Sequence, residues 1–183
     1  MKANLYNIKK IQLDMDGCIV DDYSMLQAVY PTKVDMKSHL KLLSVLGKRN
    51  EFVFPLIHEA IKRNLFLKAK PTLFLTALKD LLIPYWKHLG IEVEILSSTM
   101  KDNEQRESLH QQKLAWCAQH LPNIKVNLVA GASLKKEYAE EGTLLIDDSY
   151  KNVSEFIANG GFGIHYHSLN ETMELLRLLH LTP

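Results

Sequence analysis

Ile11-Gln12-Leu13-Asp14-Met15-Asp16-Gly17 decides the fold: an apolar, polar, apolar alternation runs straight into two carboxylates and a glycine. Period-two alternation is the mark of a strand, and acids at its carboxyl end are placed where an open parallel sheet binds ligands. Four further stretches read as strands. Ile91-Glu92-Val93-Glu94-Ile95-Leu96 and Ile124-Lys125-Val126-Asn127-Leu128-Val129 alternate, Leu144-Leu145-Ile146 is a short buried run ending in Asp147-Asp148, and Gly163-Ile164-His165-Tyr166 is the last.

Helical spacing fills the gaps. Leu75, Leu78 and Leu82 follow Pro71-Thr72, and a second helix is predicted from Asp102 to His120. A third runs from Asn152 to Asn159 and stops at Gly160-Gly161, and a fourth opens on the capping box Ser168-Leu169-Asn170-Glu171. Alternating strands and helices imply right-handed crossovers and a parallel sheet with helices on both faces, an α/β, Rossmann-like three-layer architecture. Between Asp21 and Lys70 the pattern changes to leucine spacing (Leu40, Leu43, Leu46) with no convincing strand, which reads as a helical insertion.

Composition narrows the class. Of the 183 residues, 46% are apolar and 23% charged, with 8 Gly, 6 Pro and 2 Cys, which excludes collagen-like, disordered and disulfide-scaffold chains. Because 22 basic residues balance 21 acidic ones, strong non-specific binding to nucleic acid is not expected. Cys18 and Cys117 lie in apolar surroundings without zinc-ligand spacing and read as reduced buried thiols, consistent with a cytoplasmic location. The first ten residues carry no signal-peptide run, and no apolar stretch approaches the ~20 residues of a bilayer span.

The chemistry-bearing residues follow the predicted strands: Asp14 and Asp16 after the first, Ser97-Ser98-Thr99 after the second, Lys135 and Lys136 soon after the third, Asp147-Asp148 at the end of the fourth. Carboxylates gathered at one edge repel one another unless a divalent cation lies among them, and a hydroxyl and an ammonium at the same edge suit phosphate oxygens. An isolated Asp-x-Asp-Gly is as readily a turn or a helix start; the ordered set of four is the signal. A receiver domain uses similar residue types, but with its acid pair first and its phosphorylated Asp at a later strand, the reverse of the order here.

In that order the sequence resembles the haloacid dehalogenase (HAD) superfamily of magnesium-dependent phosphatases. The resemblance spans Ile8 to His167. It implies that Asp14 is the nucleophile, Asp16 the general acid and base, Ser97 the phosphate-binding hydroxyl, with Ser98 beside it, and Lys135 or Lys136 the phosphate-binding lysine. Lys135-Lys136-Glu137-Tyr138-Ala139 is similar to a Lys-x-x-Tyr-Ala stretch of nucleotidase-like members, which favours Lys135. Magnesium is implied on Asp14, the backbone carbonyl of Asp16 and the acid pair, with Asp148 as the direct ligand and Asp147 behind it or paired with the lysine. Residues 1–20 and 71–183 then form the HAD-like core, and 21–70 a small helical cap over the site.

Ile95-Leu96-Ser97-Ser98, Lys113 with Trp116, and Leu145-Ile146-Asp147-Asp148 with Asn152 and Gly160-Gly161 are similar to 5'(3')-deoxyribonucleotidases. This implies a small phosphorylated substrate, with nucleoside monophosphates preferred. The alternatives are a 3'-phosphatase of nucleic-acid ends and a non-catalytic module that keeps the HAD fold. Tyr23, Tyr30, Phe52 and Phe54 are the aromatic candidates for a base pocket. His165 and His167 read as a packed and a rim histidine, and Trp86 and Trp116 as core.

Overall fold

Five parallel strands form one sheet in the order β3-β2-β1-β4-β5: β1 Lys10–Leu13, β2 Glu92–Thr99, β3 Lys125–Ala130, β4 Thr143–Asp147 and β5 Phe162–His165. The computed structural model describes residues 6–101 and 105–183. The chain builds outward from β1 to β2 and β3, then crosses to β4 and β5 on the other side. That reversal makes the carboxyl end of β1 a topological switch point, where a crevice opens. Register places Leu13 beside both Ile95 and Ile146, so the chain beyond each strand emerges at one edge.

The face bearing Ile11, Leu13, Ile95, Leu144 and Ile146 is covered by Phe74, Trp86, Trp116 and Leu176 in the main apolar core. These come from α4 Leu73–Ala77, α5 Ile83–His88, α6 Arg106–His120 and α8 Leu169–Leu178. The opposite face packs Leu96, Val129 and Leu145 on Phe156 of α7 Tyr150–Ala158. Both tryptophans are core residues, with Trp86 Nε1 donating to Leu181 O (2.7 Å) and Trp116 Nε1 to Ala69 O (2.9 Å). Both cysteines are free and buried. Among the described residues no helix is long and apolar enough to cross a membrane.

One boundary differs from the sequence expectation. The strand expected to stop at Leu96 continues through Thr99, because β3 runs alongside and pairs Ser97 with Leu128, Ser98 with Val129 and Thr99 with Ala130. Polar side chains do not end a strand whose backbone still has a partner. The helix after Pro71 passes Pro84, which has no N–H to bond and whose ring crowds the preceding turn; the wider π turn over Leu78–Leu82 accommodates it. The predicted helix start at Asp102 lies outside the described residues, and α6 is observed from Arg106.

The chain leaves the α/β part after Val20 and rejoins it at Pro71, where the two residues pair as an isolated antiparallel bridge outside the sheet. Asp21 N donates to Lys70 O (2.8 Å) and Thr72 N to Ile19 O (3.0 Å). Between these points lie α1 Asp22–Val29, α2 Met36–Val45 and α3 Arg49–Lys62. Asp21 and Asp35 cap the first two by accepting from Ser24 N and Ser38 N. The three helices share an apolar cluster of Met25, Leu26, Met36, Leu40, Val53 and Ile61, which also takes in Leu109 of α6. They are therefore docked on the α/β part.

Candidate active site

β1 delivers Asp14 into the crevice with Asp14 N donating to Ile146 O (2.9 Å), which ties it to β4. Its carboxylate is buried, and Oδ1 accepts from Met15 N (2.7 Å) and sits 2.7 Å from Lys135 Nζ. Oδ2 has no hydrogen-bond partner among the described residues. Lys135 belongs to a 3₁₀ segment, Ala132–Tyr138, and bridges Asp14 to Asp147, whose Oδ2 lies 2.6 Å from Nζ. Burial alone would lower the pKa of this ammonium, but Asp14 and Asp147 outweigh it and hold it well above the ordinary lysine value. Lys136 is exposed. The neighbouring lysines thus stand in opposite environments.

The two acids ending β4 also divide. Asp147 is fully buried, and besides Lys135 it accepts from Ser149 N (2.8 Å) and from Asn152 Nδ2, 3.1 Å from both oxygens. Burial and the charge of Asp14 push its pKa up, against the pull of Lys135. Asp148 reaches solvent, and its carboxylate forms no ion pair among the described residues. Loss of surrounding water, then the charges of Asp14, Asp147, Asp22 and Asp16, push its pKa up to about 8. Asp14, Asp147 and Asp148 offer oxygens all within 4.8 Å of one another. A hard divalent cation fits such an oxygen set, because it removes the repulsion that raises the Asp148 carboxyl.

Gly17 makes this packing possible. Its φ is +74°, and a Cβ built there would overlap Asp148 Oδ2. Only glycine combines that backbone with that approach.

Lys113 was not among the expected site residues. It projects from α6, is 1% exposed, and places Nζ 2.5 Å from Asp16 Oδ2, 3.0 Å from Ser97 Oγ and 2.8 Å from Ser98 O. Asp16 Oδ1 is buried without a partner. Ser97 is fully buried with its hydroxyl on Lys113, while Ser98 is half-buried and offers Lys113 only its backbone. A signal for Lys113 was present: it occupies the inward stripe of α6 with Leu109, Trp116 and Cys117. A lysine at a core position needs a buried anion, and the only question is which one.

Above Asp16 a cavity of about 180 Å³ opens between α1 and α3, lined by Asp22, Arg49, Asn50, Phe54 and Phe66 among others. Burial, with the charges of Asp16 and Asp21, raises the Asp22 carboxyl to about 7. Of the aromatic candidates, Phe54 lines this cavity, whereas Phe52 packs edge-on against Tyr30 (5.3 Å between centroids) and beside His39. His165 Nε2 contacts Asp148 O (2.9 Å), and its ring lies 3.9 Å from that of the exposed His167. A larger open groove of about 510 Å³, between Lys87 and Lys125, lies at the opposite edge of the sheet from these carboxylates.

No protein-family model matches the sequence, and no curated protein is similar to it in sequence. Solved structures do share the fold. A hydrolase from Streptococcus pneumoniae TIGR4 superposes with a TM-score of 0.58 at 14% identity, over 93% of this chain and 99% of the other. An L-2-haloacid dehalogenase from Xanthobacter autotrophicus, with chloropropionic acid covalently bound, superposes with a TM-score of 0.51 at 13% identity, over 96% and 85% of the two chains. The chain has the fold of the HAD-type hydrolases.

Proposed function

We propose that this protein is a magnesium-dependent phosphomonoester hydrolase that works through an aspartyl-phosphate on Asp14. The observation that carries the reading is Asp16: one oxygen is fixed by Lys113 and the other is buried and unpartnered, beside the crevice that holds Asp14. A haloacid substrate releases halide, which leaves without a proton. An alkoxide leaving group needs one, and a positioned acid supplies it. The same fold thus serves both chemistries, and Asp16 favours the phosphate ester.

In the first step Asp14 Oδ2 attacks phosphorus, the ester P–O bond breaks, and a proton from Asp16 Oδ1 goes to the leaving oxygen. In the second, Asp16 takes a proton from water as the water oxygen attacks phosphorus, and the acyl-phosphate bond breaks to release phosphate and free Asp14. Met15 N and Lys135 hold Asp14 Oδ1, so the free oxygen faces the substrate. Lys135, Ser97 and Ser98 are assigned to the transferring phosphate oxygens. Magnesium is assigned to Asp14, the backbone carbonyl of Asp16 and Asp148, with Asp147 engaged by Lys135; when bound it neutralises charge between an anionic nucleophile and an anionic ester.

Nucleoside monophosphates are the substrates that the sequence resemblance favours. At about 180 Å³ the cavity over Asp16 is smaller than the roughly 300–1,000 Å³ typical of sites for drug-sized ligands, which supports a small leaving group. The test is release of inorganic phosphate, with and without magnesium, from nucleoside 5'- and 3'-monophosphates, sugar phosphates, an aryl phosphate and a 3'-phosphorylated oligonucleotide. Magnesium-dependent release that Asp14→Asn abolishes supports the mechanism. Release by Asp14→Asn, or none from any substrate by the native protein, rejects it.

A further inference from the structure

The carboxyl end of β5 gathers donor groups of a different kind from the carboxylates beside it. His165 closes the strand, and Tyr166 N still donates to Asp147 O (2.9 Å), so the extended course continues toward His167. Alternation then sends both imidazoles to one side, and their ring centres lie 3.9 Å apart. Glu171, in the first turn of α8, lines the same groove of about 450 Å³, whose wall includes Leu175 and Leu178.

One hydrogen bond fixes the chemistry of the pair. His165 Nε2 lies 2.9 Å from Asp148 O, and because a carbonyl only accepts, Nε2 carries the proton. Nδ1 is then the bare nitrogen, and its lone pair has no partner among the described residues. An imidazole that donates from one nitrogen to a backbone carbonyl is in the form in which histidine binds metal, because that bond sets the tautomer, holds the ring and raises the basicity of the other nitrogen. His167 is exposed, so its ring is free to turn about its side-chain bonds. Two nitrogens on one zinc ion, each at about 2.0–2.1 Å in a tetrahedral set, stand roughly 3.4 Å apart. Rings whose centres are already 3.9 Å apart reach that spacing by side-chain rotation alone.

Independently of the reaction at Asp14, we propose that His165 Nδ1, His167 and the Glu171 carboxylate form a second metal site, selective for zinc-class transition ions, with water completing the tetrahedron. The Glu171 carboxylate forms no ion pair among the described residues, so the ion competes with no partner for it. Donor type separates this site from the first. Asp14, Asp147 and Asp148 offer only oxygens, which suit magnesium, whereas imidazole nitrogen suits zinc, copper and nickel. Bound there, the ion ties the end of β5 to α8 and, through His165, to the backbone of Asp148.

The test is calorimetric titration of the untagged protein with zinc chloride in excess magnesium. The native protein should bind a zinc ion that magnesium does not displace, and Asp148→Asn, which disables the carboxylate set, should retain it. His167→Ala and Glu171→Gln should each weaken it by about tenfold or more, since losing a direct ligand costs no less than the roughly 10–100-fold lost with an outer-shell partner. Both side chains are exposed, and circular dichroism checks that the variants fold. Nitrogen-15 NMR of the imidazoles reads the site without reference to activity: zinc should shift His165 Nδ1 while Nε2 stays protonated. Zinc affinity unchanged by either substitution, zinc binding lost in Asp148→Asn, or no shift at His165 Nδ1 overturns the proposal.

Discussion

Lys113 reaches across 97 positions of sequence to place its ammonium 2.5 Å from Asp16 Oδ2. The lysine is buried and the acid partly open, so the ammonium is committed to the site and directs one carboxylate oxygen away from the crevice. This is positioning by charge: the stem of Lys113 packs in the core, its nitrogen 5.8 Å from the centre of the Phe66 ring, and the head fixes the acid.

Replacing that head with an apolar group of similar length tests the role. Lys113→Met is expected to lower kcat roughly 10²-fold or more, within the range that a positioned acid–base group contributes. A phosphate-release assay, run across pH beside circular dichroism of the folded variant, checks it. A folded variant with native kcat and an unchanged pH profile would show that Asp16 needs no anchor.

Gly17→Ala forces a side chain onto a backbone at φ +74° and into the space of Asp148 Oδ2. The backbone strain alone costs about 1–2 kcal/mol. The added methyl should also displace Asp148, so the magnesium concentration giving half-maximal activity should rise, and titration of activity against magnesium reads this directly.

Magnesium should stabilise the folded chain, since it binds the gathered carboxylates and not their separated counterparts in the unfolded chain. At a hundred times Kd the gain is about 2.7 kcal/mol, or roughly 5–11 °C in Tm for a chain of this size. Asp148→Asn should abolish the magnesium-dependent shift and raise the Tm of the metal-free protein, because it removes a carboxyl held up to about 8 by lost solvation and its acidic neighbours. A differential scanning fluorimetry series with and without magnesium measures both.

Asp22 makes stability depend on pH in a defined direction. Its carboxyl is raised from 3.8 to about 7, so the folded chain binds more protons than the unfolded one between those values. Stability from this group is therefore lost as pH rises from about 4 through 7. Asp22→Asn should raise Tm at pH 8 and leave it little changed at pH 4. His120, whose pKa is lowered by burial and Lys79, works the opposite way in acid, but it is common to both proteins and cancels in the difference.

Local pattern was sufficient for much of the fold. Strands at Ile11, Ile91, Ile124, Leu144 and Gly163 were legible because a half-buried strand must alternate and a doubly covered one must be apolar throughout. Ser168 capping the last helix, with Glu171 N donating to it, was legible for the same local reason. Strand length was not: whether Ser97 through Thr99 belong to β2 depended on the partner strand, which is a property of the sheet.

Which residue types stand at the carboxyl ends of the strands is readable without the fold, since strand and motif lie within a few consecutive residues. Tertiary structure decided their pairings. The order β3-β2-β1-β4-β5 sets Asp14 beside Asp147, the fold of α6 against the sheet brings Lys113 to Asp16, and Lys135 rather than Lys136 enters the space between Asp14 and Asp147. Each of these depends on direction and burial across long separations. A lysine has the same letter in water and in a core, and only the neighbours that the fold brings to it make it a fixed charge or a solvated one.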